Sequence, residues 1–315
     1  MKFITALMAF GLLGGGCVQL RTKTTANVAN DSPPPTAESA KAHLAPLLKS
    51  GAISEITFSS MGTVWIIQIS DRKSINLQSL QRALMEEALL FDRTFSDWMK
   101  DSELRKLERS GLTQKQIPSA LFMRGLKLAV ENYQISEGRF DITVGAVIWK
   151  ALENPVGLSQ LVIEGNAFHF NQDPKRLTFN GFIKGSATGA MAERLRAAGL
   201  RNFMINGGGG NYVAMGTRAG ENWISEQASF SPREMIFVSH SNSQQDATQH
   251  VIDPAHPNQK IERQATVICR ASAKPQSWFR EAGIADALST ALLINADLKN
   301  LPENCHSTQS QKNKR

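Results

Sequence analysis

Leu77, Leu80, Leu84, Ala88, Phe91 and Phe95 recur at three- and four-residue steps, which places them on one face of an α-helix. Phe122, Leu126, Ala129, Val130 and Tyr133 repeat the pattern and predict a second helix ending near Gly138. Ala187, Met191, Leu195 and Ala198 predict a third, with Gly199 at the expected C-terminal stop. Between them lie runs rich in β-branched and apolar residues at 64–69, 203–206, 212–215, 235–239 and 265–270, each of strand length. Strands and helices do not alternate as regular β-α-β units. The pattern therefore predicts an α+β fold rather than a doubly wound sheet, without internal repeats.

The ends of the chain break this pattern. Met1-Lys2, an apolar run from Phe3 to Leu13 and then Gly14-Gly15-Gly16-Cys17 follow the order of a charged start, an apolar centre and a small-residue cleavage site. About eleven apolar positions fall short of the roughly 20 that a membrane-spanning helix needs. Residues 1–16 thus resemble a bacterial lipoprotein signal, with Cys17 as the lipid-modified first residue of the mature chain and plain secretion as the alternative. Gly14 stands where that pattern usually has Leu. Residues 17–51 carry Pro33-Pro34-Pro35 and read as a tether, 52–298 as the folded domain, and 299–315 as a polar, frayed tail.

Composition narrows the class. The 315 residues are 42% hydrophobic and 20% charged, enough for one large core and unlike a disordered, collagenous or coiled-coil chain. Lys and Arg number 35 against 28 acidic residues, but they are scattered, so no nucleic-acid partner is expected from the +7 charge. Besides Cys17 there are two cysteines. Cys269 lies in an apolar run and Cys305 in the polar tail, which reads as a buried thiol and a tail thiol rather than a disulfide, although an exported chain permits one. No Cys/His spacing suggests zinc.

Four segments could carry chemistry. Asp286 and Thr290 sit four residues apart in Ala285-Asp286-Ala287-Leu288-Ser289-Thr290-Ala291-Leu292, so their oxygens share a helix face, an arrangement suited to Mg²⁺. Taken alone, the same pair also fits an Asp favouring the helix dipole and a Thr bonding back to the preceding turn. Gly207-Gly208-Gly209-Gly210 joins two strands and allows close backbone approach to a ligand, or is simply a hairpin. Gly181 to Gly185 opens the third helix, where backbone donors could receive an anion or Lys184 could merely be solvated. His250 precedes Val251-Ile252-Asp253-Pro254 and is either structural or a base for a hydroxyl proton.

These segments occur in the order found in the FAD:protein FMN transferases, the ApbE-like thiamine-biosynthesis lipoprotein family. Met61-Gly62-Thr63 resembles the early M-G-T, and Phe95-Ser96-Asp97-Trp98 with Ser102-Glu103-Leu104 resembles the aromatic-then-S-E-L segment. Gly138 to Gly145 followed by Trp149 is similar to G-x-F-D-I-T-V-G with a downstream Trp. Asn180 to Gly185 resembles G-G-I-A-K-G, Gly209-Gly210-Asn211 resembles G-G-D/N, His250 to Pro254 resembles H-I-I-D-P, and Ala285 to Leu292 resembles A-D-A-L-A-T-A-L. The resemblance implies mixed or antiparallel sheets with packed helices and a nucleotide site in a cleft between subdomains. It also implies a lipid-anchored, periplasm-facing enzyme of the bacterial cell envelope that binds FAD and Mg²⁺. Such an enzyme passes FMN to a Thr hydroxyl of a membrane-associated flavoprotein and releases AMP. Carried over by position, the metal ligands are the side chains of Asp286 and Thr290 with the carbonyls of Ile183 and Ser289. The flavin nucleotide is lined by Met61, Trp98, Arg139, Phe140, Asp141, Asn180, Ser186 and Val251, and His250 is the general base.

The chain departs from the family where D-L-G-G-I-A-K-G-Y-A-V-D is usual, reading Thr178-Phe179-Asn180-Gly181-Phe182-Ile183-Lys184-Gly185-Ser186-Ala187-Thr188-Gly189. Both acidic positions and the Tyr are replaced. Ser186 is expected to weaken nucleotide binding, since a stacked aromatic contributes about 1–3 kcal/mol. His256-Pro257 replaces the T-G that usually follows H-I-I-D-P, and Ser241-Asn242 replaces the preceding S-G. Two other readings accompany the transferase: an FAD-hydrolysing or flavin-holding lipoprotein, and a non-catalytic interaction lipoprotein.

Overall fold

The computed structural model describes residues 53–71, 75–225, 229–230, 235–243, 251–271, 277–295, 297–299 and 301–310. The signal, the tether, Cys17 and His250 lie outside the described residues. The chain opens with strands β1 (Ser54–Ser60) and β2 (Thr63–Ile69), then helices α1 (Leu77–Phe95), α2 (Glu103–Ser110), α3 (Ala120–Ile135) and the single turn α4 (Gly145–Ile148). A small hairpin, β3 (Leu161–Glu164) and β4 (Ala167–Phe170), leads into helix α5 (Ile183–Ala197). Strands β5 (Phe203–Gly207), β6 (Asn211–Met215), β7 (Trp223–Ile224), β8 (Ser229–Phe230), β9 (Ile236–Asn242) and β10 (Gln264–Arg270) follow, then helix α6 (Trp278–Ile294) and strand β11 (Cys305–Ser310).

Seven strands form one sheet in the order β1-β2-β5-β6-β9-β10-β11, and every neighbouring pair is antiparallel. Period-two alternation divides their side chains between two faces. Trp65, Ile67, Phe203, Ile205, Val213, Phe237 and Val267 join the main core with the helices. Met204, Tyr212, Ala214 and Val238 point the other way and pack under Trp223 of β7. The three predicted helices and five predicted strands are all present. α1 matches the 77–95 periodicity, with Asn76 capping its start by accepting from the Ser79 N–H at 3.0 Å.

Helices α5 and α6 pack against each other because three glycines permit it. A Cβ on Gly189 would stand 2.2 Å from the Trp278 carbonyl oxygen, and one on Gly185 2.4 Å from that of Ala282. A Cβ on Gly283 would meet Ser186 Oγ at 2.3 Å. Any side chain at these positions forces the helices apart. This close approach brings the first turn of α5 against the middle of α6.

Two expectations for the C-terminal segment are corrected. Residues 305–310 do not fray but pair as an edge strand with β10, so the folded unit extends past 298. In that register Cys305 lies opposite Cys269, and the two form a disulfide across 36 residues of sequence. The polar sequence Cys-His-Ser-Thr-Gln-Ser conceals the strand, because an edge strand packs few of its side chains.

Candidate functional site

Asp286 stands in the middle of α6, eight residues beyond its first residue Trp278, so no helix-terminal dipole accounts for it. It is 5% exposed. Its Oδ2 accepts the Gly185 N–H from the first turn of α5 at 2.9 Å, and its Oδ1 accepts the Ser239 hydroxyl from β9 at 3.0 Å. Asn211, at the start of β6, contributes a further side-chain hydrogen bond. The anion received by the N-terminus of α5 is therefore this carboxylate. Burial nevertheless pushes its pKa up from 3.8 to about 6, against the opposing pull of Lys184 and of these hydrogen bonds.

A chain of hydroxyls runs from Asp286 toward solvent. Ser239 Oγ lies 3.0 Å from Ser289 Oγ, and Ser289 Oγ lies 2.7 Å from Ser241 Oγ. Ser241 Oγ is 3.4 Å from Thr290 Oγ1, which donates only a long 3.5 Å contact to the Gly181 carbonyl. It is Ser289, not Thr290, that bonds back to the preceding turn, donating to the Asp286 carbonyl at 2.8 Å. Thr290 Oγ1 is thus loosely held at the half-exposed end of the cluster. Ser239 and Ser241 alternate with outward residues on β9 and continue the face that Phe237 gives to the core. Hydroxyls on an inward strand face are the sequence signal that escaped notice.

The donor set fits a small hard cation. Carboxylate, hydroxyl and carbonyl oxygens are the ligands that Mg²⁺ takes, and a cation offsets the burial of Asp286. Among the described residues no three His, Cys, Asp or Glu side chains gather to hold a metal, so a cation here would draw on hydroxyl and carbonyl oxygens besides Asp286. Ile183 and Ser289 are both buried, at the start of α5 and in the body of α6.

The residues expected to line the nucleotide divide. Phe140 packs edge-on against Phe182, with ring centroids 5.6 Å apart, and limits Gly181, where a Cβ would come within 2.8 Å of its ring. Arg139, next to it in the chain, has its Nε buried without a hydrogen-bond partner, a donor free for an anionic ligand. Met61 occupies the β1–β2 turn with φ 55°, its N–H donating to Asp92. Trp98 is 54% exposed and meets Trp149 edge-on at 4.6 Å. Asn180 is exposed and donates to Asp97. Val251 is buried in the main core.

Two of them are committed to contacts within the fold. Ser186 is fully buried between α5 and α6 against Gly283. The Asp141 carboxylate is consumed locally, accepting from the Thr143 N–H at 2.8 Å, the Thr143 hydroxyl at 2.7 Å and the Leu158 N–H at 2.9 Å. It caps a turn and pins the segment leading to β3. The glycine-rich turn after β5 is a tight hairpin in which Gly208 and Gly209 adopt φ 76° and 77°, with the Gly209 N–H donating to Asn206. A concavity of about 420 Å³ lined by Arg270, Arg280, Glu281, Ile284 and Asn304 lies beside the disulfide and shares no residue with the oxygen cluster.

Comparisons with known proteins identify the family and the fold. The chain is 25% identical over 175 residues to an FAD:protein FMN transferase from Vibrio cholerae, a match covering 48% of this chain. It spans about half the length of that curated relative, 51%. The fold resembles the flavin transferase ApbE of Vibrio cholerae with a TM-score of 0.62 at 21% identity, over 77% of this chain and 86% of the other. It resembles the Pseudomonas stutzeri flavinyl transferase ApbE, apo form, with a TM-score of 0.65 at 19% identity, over 78% and 87%. The ApbE family model matches residues 61–306, from the Met61 turn through α6 to the disulfide-bonded strand β11, and the chain belongs to the ApbE family.

Proposed function

We propose that this chain is a Mg²⁺-dependent FAD:protein FMN transferase that passes FMN from FAD to a Thr hydroxyl of an acceptor flavoprotein and releases AMP. The observation that carries the reading is the oxygen cluster itself: a buried carboxylate at Asp286 leading through Ser239, Ser289 and Ser241 to the loosely held hydroxyl of Thr290. A structural network would close on itself, whereas this one ends in an under-used oxygen beside the first turn of a helix.

In this reading Asp286 and Thr290 hold the cation with side-chain oxygens, and carbonyls of Ile183 and Ser289 add to them. A cation held there would supply charge neutralisation for the diphosphate and the transferring phosphoryl group. Ser239, Asn211 and the Gly185 N–H hold the Asp286 carboxylate in one orientation. The unpaired Arg139 Nε and the Lys184 ammonium offer positive charge to the phosphates. Trp98 offers an exposed aromatic face for stacking, near Asn180. His250 takes the proton of the acceptor hydroxyl, a role worth about 10²- to 10⁴-fold in rate.

The disulfide supports the export part of the reading, because such bonds persist in oxidising compartments. A lipid on Cys17 and a tether over 17–51 would place the enzyme on the periplasmic face, among membrane-associated acceptors. The test incubates the mature protein with FAD, Mg²⁺ and a Thr-bearing flavoprotein acceptor. In-gel flavin fluorescence of the acceptor with stoichiometric AMP is expected. AMP and free FMN without labelled acceptor would make the protein an FAD hydrolase, and neither product would leave a non-catalytic lipoprotein.

A further inference from the structure

Asp97 is a buried acid outside the oxygen cluster, 3% exposed and contacted by side chains from two distant segments. Its carboxylate accepts both contacts of the Asn180 amide at 3.1 Å, the Thr178 hydroxyl at 3.1 Å and the Trp149 indole N–H at 3.3 Å. These partners lie 83, 81 and 52 residues away in sequence. Its own carbonyl accepts the Arg105 guanidinium. A buried carboxylate that accepts from this many donors fixes every group that donates.

The groups it fixes face two ways. Trp149 is flanked by Arg105 at 5.2 Å and Arg176 at 5.0 Å from its ring centre, and it supports the exposed Trp98 edge-on at 4.6 Å. In the other direction, Asn180 immediately precedes Gly181, whose carbonyl receives the Thr290 hydroxyl and whose α-carbon has room only because it lacks a Cβ against Phe140. One carboxylate therefore holds both the aromatic wall and the segment that meets Thr290. Thr178 stands at the first acidic position of the family pattern, and its hydroxyl points at Asp97.

Resting on the flavin-nucleotide reading above, we propose that Asp97 is a positioning residue for FAD, supplying from α1's C-terminal loop the carboxylate that the chain lacks at 178. It touches no reacting atom. It sets the spacing between the stacking face of Trp98 and the cation end at Thr290, which a dinucleotide must bridge.

The test is an exchange. Asp97→Asn, and separately Asp97→Thr, should raise the FAD dissociation constant roughly tenfold by flavin-fluorescence titration, as expected for loss of a charged hydrogen-bond hub. They should leave kcat at saturating FAD within about twofold, a uniform-binding effect. Each should also remove the near-UV indole bands that Trp149→Phe removes. Restoring the acid at the other position, Asp97→Thr with Thr178→Asp in one chain, should recover most of the affinity. Unchanged affinity in Asp97→Asn, or an exchange no better than Asp97→Thr alone, overturns the proposal. If the Asp97 variants do not fold, Thr178→Val removes a single donor, and it should weaken FAD about threefold; no weakening there is equally decisive. Absence of FAD binding by the unaltered protein defeats the flavin reading itself, and the indole bands then decide separately whether Asp97 positions Trp149.

Discussion

Asp286 is held at a cost to the fold, and Asp286→Asn exposes it. A carboxyl that titrates at 3.8 in the unfolded chain and at about 6 in the fold binds its proton more tightly when folded. Its contribution to stability is therefore complete below pH 3.8 and is lost as pH rises through about 6. Above that, the ionised group costs about 3 kcal/mol, at about 1.4 kcal/mol per tenfold change in proton affinity. An amide can keep its oxygen toward the Gly185 N–H and turn its NH2 toward the Ser239 hydroxyl, which can accept, without the charge. In urea denaturation of the mature protein with divalent ions chelated, Asp286→Asn should match the parent near pH 4 and exceed it by up to about 3 kcal/mol near pH 7.5. Other acids titrate alike in both proteins and cancel in the difference. Added Mg²⁺ should stabilise the parent alone, reversing the order. A stability difference that does not change with pH, or a variant weaker than the parent at pH 7.5 without metal, refutes the reasoning.

Four further outcomes follow from named contacts. Cys305→Ser opens a loop of 36 residues and should cost about 4 kcal/mol by the chain-entropy estimate, read as the gap between variant and oxidised parent that vanishes in reductant. Gly189→Ala sets a methyl against the Trp278 carbonyl at 2.2 Å and should lower stability by about 1–3 kcal/mol or more through separation of α5 from α6, measured by thermal denaturation. Asp141→Ala strands three donors and should destabilise by about 2–4 kcal/mol; weaker FAD binding with an unchanged melting temperature would instead return Asp141 to the nucleotide wall. Ser186→Ala removes a buried hydroxyl without a partner, so stability should hold or rise and the FAD dissociation constant should stay constant in titration.

The architecture was legible wherever one face of an element is buried. The 77–95 helix and the strands at 64–69 and 203–206 announce themselves through apolar spacing. β11 and α2 do not, because β11 is a polar edge held by a register and a disulfide, and α2 is a short charged helix, Glu-Leu-Arg-Lys-Leu-Glu-Arg-Ser, with two apolar anchors. The Asp286–Thr290 spacing showed that two oxygens share a helix face, but the surrounding hydroxyls of Ser239 and Ser241 come from a strand distant in sequence. Ser186 shows the opposite limit. Its position in a motif says nothing about which way its helix turns, and glycine packing between α5 and α6 directs it inward. Asp97 was hidden beside a tryptophan, and only the fold brings Thr178 and Asn180 to it.

Anomalous diffraction from crystals soaked with Mn²⁺ and FAD tests the central claim most directly. The account predicts one strong peak between the Asp286 carboxylate and the Thr290 hydroxyl, bordered by the dinucleotide's phosphates. A flavin bound with no peak there, or a peak only at some other set of ligands, contradicts it.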